Sequence, residues 1–130
     1  MNFFISSDIP KLRLIVSFES QPLKYGNTVI LEALIDSRSK RLSVEWKKDE
    51  TNEKDFCERI SKDHSDKYHP KLVIRHVTLS DSGKYSVIVS NSKGHATDLT
   101  QIEIEGMETF PTGKIIFNIA NHLYFKTLDT

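Results

Sequence analysis

Cysteine is almost missing from this sequence: Cys57 is the only one in 130 residues, so no disulfide can form within the chain. That excludes a fold held by internal disulfides and a zinc site built on paired cysteines. The plain reading of Cys57 is a buried or half-buried free thiol. An excess of one charge is also missing, because 18 lysines and arginines balance 18 aspartates and glutamates. With no basic cluster interleaved with aromatics, nucleic acid is not an expected partner. No apolar run approaches the roughly 20 residues that a membrane-spanning helix needs. The opening MNFFISSDIPKLRLIVSF is interrupted by Asp8 and Pro10. It lacks the ordered basic, apolar and small-residue regions of a signal peptide. There is no glycine-rich phosphate loop and no Asn-x-Ser/Thr acceptor.

What is present is alternation. Leu12, Leu14, Val16 and Phe18 recur every second residue, as do Val29, Leu31, Ala33 and Ile35. Leu42, Val44 and Trp46 form a third run, and Leu72 and Ile74 a fourth, closed by Val77. Tyr85, Val87 and Val89 form a fifth, and Ile102 and Ile104 end a sixth. A period of two over such lengths reads as half-buried antiparallel strands. The spacers Asp36–Lys40, Ser80–Gly83 and Asn91–Gly94 carry suitable breakers. Six or more short strands without a long helical period predict an all-β sandwich. One stretch, KDFCERISK at 54–62, is too charged to classify and is open to a short helix, an edge strand or an irregular crossover.

These elements resemble an immunoglobulin domain, most closely the I-set type. Gly26-x-x-Val29-x-Leu31-x-Ala33 is similar to strand B, Trp46 to the tryptophan of strand C, and Leu72-x-Ile74-x-x-Val77 to strand E. Asp81-x-Gly83-x-Tyr85-x-Val87 resembles strand F, and Asn91-x-x-Gly94 its following turn. The resemblance spans about residues 10 to 106. It implies an immunoglobulin-like β-sandwich of two antiparallel sheets, with seven or eight strands and Ala33, Trp46, Leu72, Ile74, Tyr85 and Val87 in its core. It places Tyr85 at the tyrosine corner, and Gly83 and Gly94 in turns whose geometry side chains resist. Asp81 either pairs with a basic residue, Arg59 being the candidate with Lys62 behind it, or merely caps its own turn.

The departure from the family is the missing staple. Its two cysteine positions fall on Ala33 and Val87, and their paired replacement is what a stably disulfide-free domain would show. A bridge of this kind is worth roughly 2–5 kcal/mol in a small domain. Reducing compartments, where such bridges have no role, are therefore the expected setting, with a fragment of an extracellular array as the alternative.

Function follows from surface rather than chemistry. His64, His69, His76, His95 and His122 form no zinc-spaced cluster and read as surface residues. No catalytic, cofactor or metal site is expected. Ile30 and Leu34 lie on the outer face of strand B and Val73 on that of strand E, neighbours in this fold, so the three form a candidate interaction patch. The expected partners are proteins of unknown identity, a neighbouring domain or the chain's own tail covering the patch. Residues 1–9 read as an N-terminal extension, 10–106 as the domain, and 107–130 as a C-terminal extension or the start of a following segment. In that tail Ile115, Phe117 and Ile119 alternate after a linker-like Pro111-Thr112-Gly113. The expectation is a non-catalytic interaction or structural module, from a multidomain protein of sarcomeric or cytoskeletal kind. Extracellular adhesion or immune-type recognition is the alternative.

Overall fold

In a computed structural model of the chain, residues 9–19, 23–49, 51–109, 114–119 and 122–127 are described. Strands β1 (Lys11–Phe18), β2 (Val29–Asp36), β6 (Lys71–Ile74) and β5 (Ile60–Asp63) form one four-stranded sheet in the order β1-β2-β6-β5. Strands β4 (Thr51–Asn52), β3 (Ser43–Lys48), β7 (Gly83–Asn91) and β8 (Gly94–Ile102) form a second in the order β4-β3-β7-β8. Pairing within both sheets is antiparallel. The ambiguous charged stretch divides between elements: a 3-10 helix at Glu53–Asp55, then an irregular crossover, then β5 from Ile60. Its charges stay near water while Phe56 and Ile60 pack against the core.

Alternation sets which faces meet. Along β2, Val29, Leu31, Ala33 and Ile35 are buried and the residues between them are not. They face Leu72 and Ile74 from β6 within the same sheet and the second sheet's Trp46, Tyr85, Val87, Val89 and Ile102 across one continuous core. A one-residue slip of any strand would turn these side chains to solvent, so burial pins the register. Here Trp46 lies directly opposite Val87, and Leu31 opposite Leu72.

One side of the sandwich is closed by the approach of β1 to β8. The backbone N–H of Leu14, on edge strand β1, donates to the Asp98 carboxylate of β8 at 2.9 Å. After β1 the chain makes a parallel bridge, Lys24 with Glu105, before entering β2. Both devices satisfy edge groups that would otherwise offer themselves to another strand.

The tail adds a third sheet in the order β11-β10-β9, from β9 (Gly106–Thr109), β10 (Lys114–Ile119) and β11 (His122–Thr127). Strands β9 and β10 approach the 3-10 helix at Leu79–Asp81, the corner between β6 and β7. Pro111-Thr112-Gly113 lies outside the described residues.

Candidate functional site

A cluster of polar side chains ties the crossover before β5 to the corner between β6 and β7. Asp81 is the buried charged residue there, 3% exposed. A lone buried carboxylate is costly, so its partners decide whether the corner is stable. Arg59, in the crossover before β5, reaches it with both terminal nitrogens, Nη1 at 2.5 Å and Nη2 at 3.0 Å. The same Nη1 donates to the carbonyl of His76 at 3.2 Å. That carbonyl belongs to a residue held at φ +52°, an uncommon conformation for a side-chain-bearing residue. Asp81 Oδ2 also accepts the Thr78 backbone N–H at 2.8 Å. The two readings offered for Asp81 thus coexist: the carboxylate pairs with Arg59 and caps its own turn. Lys62 lies elsewhere, 3.0 Å from Glu53.

The Tyr85 hydroxyl donates to the carbonyl of Asp81 at 2.6 Å, tying the start of β7 to the turn before it. Burial first, then the nearby Asp81 and Asp49 carboxylates, pushes the Tyr85 phenol far above its usual range. The protonated hydroxyl serves as a hydrogen-bond donor to the Asp81 carbonyl. The hydrogen bond to Asp81 holds the Arg59 guanidinium protonated more firmly still. Arg59, Asp81 and Tyr85 thus form one connected set of hydrogen bonds.

The two glycines differ. Gly83 takes φ +155°, and a Cβ there would lie 2.8 Å from Asp49 Oδ2, the carboxylate whose Oδ1 accepts the Lys84 N–H. Gly94 does not take a glycine-only backbone, which corrects the expectation for that turn; a Cβ there would sit 3.3 Å from the exposed Ile9 side chain, which would have to shift by a few tenths of an ångström. The turn is set instead by Asn91, whose side-chain oxygen accepts the N–H groups of Lys93 and Gly94. Gly26, at φ +88° with open space around it, is the position where left-handed backbone alone selects glycine.

Trp46 is fully buried, so its indole N–H needs an acceptor. His64 supplies it, its Nε2 lying 3.0 Å from Trp46 Nε1. The accepting nitrogen must be unprotonated, which fixes His64 as the Nδ1–H tautomer. Partial burial, reinforced by Lys62, lowers the His64 pKa. Sequence reading missed this pair; the available signal was the demand of a buried indole for a partner.

The remaining residues singled out by sequence fall in two places. Ala33, Leu72, Ile74 and Val87 are all fully buried in the core. Ile30 and Val73 are direct cross-strand partners on the outer face of the first sheet, with Leu34 farther along β2, and all three are half-buried. Among the described residues, no group of three His, Cys, Asp or Glu side chains is placed to hold a metal ion. No described helix is long and apolar enough to cross a membrane. Cys57 is exposed, which corrects the expectation of a buried or half-buried thiol; the charged crossover leaves it outside the core.

A two-sheet sandwich with a buried tryptophan on one central strand and a tyrosine corner on its neighbour defines an immunoglobulin-type module. The chain belongs to the immunoglobulin I-set domain family, whose model matches residues 13–104. No match was found among curated proteins. Among solved structures, the chain is similar to the titin M4 domain, with 19% identity and a TM-score of 0.58, covering 72% of this chain and 94% of that one. It is similar to a twitchin kinase fragment from C. elegans, with 21% identity and a TM-score of 0.58, covering 75% of this chain and 21% of that one. The Dscam1 Ig7 domain is similar too, with 15% identity, a TM-score of 0.60, and coverage of 68% and 92%.

Proposed function

We propose that the chain is a non-catalytic protein-interaction and structural module of a multidomain protein, of sarcomeric or cytoskeletal kind. Residues 10–106 form the module, 1–9 extend it, and 107–130 are an extension or the start of a following segment. The observation that carries this reading is the outer face of the first sheet. Ile30 and Val73 stand opposite each other there, and Leu34 lies on the same face. Apolar residues grouped on a face that a lone sandwich leaves wet mark a surface for a neighbour. The mutual engagement of Arg59, Asp81 and Tyr85 supports a structural role for that corner. The likeness to titin and twitchin domains supports a repeat in a longer chain, and the missing bridge supports a reducing compartment.

Affinity capture from muscle extract tests the proposal, using the whole chain and an Ile30→Asp/Val73→Asp variant as baits. Retention of sarcomeric or cytoskeletal proteins by the native chain alone is expected. Retention of cell-surface ectodomains instead would favour extracellular recognition, and equal retention by both baits would remove the patch from the account.

A further inference from the structure

At the end of the sandwich where β2 turns into β3, three connections meet around a groove of about 460 Å³. Lys40 and Arg41 come from the β2–β3 turn, Lys67 from the β5–β6 connection, and Asn91 and Ser92 from the β7–β8 turn. Leu42, half-buried, gives the groove an apolar floor. No carboxylate lines it. In a chain of zero net charge this is a local concentration of cations, and the three are exposed.

None of these cations has an ion-pair partner among the described residues. The acid nearest Lys67 in sequence is engaged elsewhere: Asp66 holds His69 at 2.9 Å and accepts the Tyr68 N–H at 3.0 Å. The Lys67 ammonium lies over the Tyr68 ring, 5.8 Å from its centre, an exposed cation–π contact that leaves it without a carboxylate partner among the described residues. The Asn91 side chain braces the β7–β8 turn, so that wall of the groove is preformed. Three exposed cations without carboxylate partners, beside an apolar floor, are complementary to carboxylates flanking an apolar side chain.

We propose that this groove docks an acidic segment of a partner protein, glutamates or aspartates meeting Lys40, Arg41 and Lys67 while an apolar side chain rests on Leu42. The proposal rests on reading the chain as an interaction module and assigns that module a second surface, separate from the Ile30 face.

Fluorescence anisotropy tests it with the full chain and a short fluorescein-labelled peptide alternating glutamate with leucine. A matched glutamine–leucine peptide and a single-stranded oligonucleotide of the same net charge serve as comparisons. Binding of the acidic peptide is expected, weakening as salt rises because exposed charges are screened. Reversing Arg41 and Lys67 together (Arg41→Glu/Lys67→Glu) is expected to weaken it by about tenfold or more, while Lys11→Glu/Lys24→Glu leaves it unchanged. Tryptophan emission from the buried Trp46 shows that each variant remains folded. Absence of binding, indifference to the Arg41/Lys67 reversal, or equal affinity for the oligonucleotide each overturns the proposal. The Ile30→Asp/Val73→Asp variant is carried alongside: capture that depends on that face, with no binding of the acidic peptide, overturns the groove and leaves the module reading standing.

Discussion

Arg59 and Asp81 are unequal partners, because the arginine side chain is 32% exposed and the carboxylate 4%. Removing Arg59 strands a buried negative charge, whereas neutralising Asp81 leaves a cation that water can reach. Arg59→Ala is therefore expected to lower unfolding free energy by about 2–3 kcal/mol, a value discounted for Arg59's exposure, and Asp81→Asn by less. Urea unfolding of the two variants checks the order. His64 gives a second residue-scale expectation. Its folded pKa is lowered, so its contribution is present above the ordinary histidine value of about 6.5 and is lost as pH falls through the folded value. Protonation places a proton on the nitrogen that accepts the Trp46 indole N–H. Emission from Trp46, the chain's one tryptophan, should change reversibly as pH falls below about 6.5. His64→Ala should flatten that change; an unaltered titration would show that another group drives it.

Elements differ in how openly the sequence announces them. Strands β2, β3 and β7 were legible because each buries one face, leaving an alternation such as Val29-x-Leu31-x-Ala33 that only one period explains. The 54–62 stretch was not, because its short elements are too brief and too charged to show a period. Gly94 was misread because a turn glycine in ordinary backbone looks, in sequence, like one selected for backbone conformation. The His64–Trp46 contact and the basic groove join residues from separate connections, and local patterns carry no record of such meetings. Strand β1 offers a test at this scale. Asp98→Ala releases the Leu14 N–H on an exposed edge, so hydrogen exchange at Leu14 should accelerate and self-association should rise. Unchanged exchange would mean that the approach of β1 to β8 protects that edge without the carboxylate.

For the whole molecule, the central claim is that this sandwich stands without the bridge its family places between the two sheets. Ala33 from one sheet and Val87 from the other are both fully buried, and Val87 lies opposite Trp46. Hydrophobic packing through that layer, with the corner knot of Arg59, Asp81 and Tyr85, replaces the covalent tie. Restoring the tie tests the register, the core and the family reading together. The measurement is thiol counting and urea unfolding of Ala33→Cys/Val87→Cys after mild oxidation. A single reactive thiol in the denatured protein, that of Cys57, is expected, with stability raised by about 2–4 kcal/mol over the reduced form. Three reactive thiols, with no gain on oxidation, would contradict the expectation that Ala33 and Val87 meet across the core.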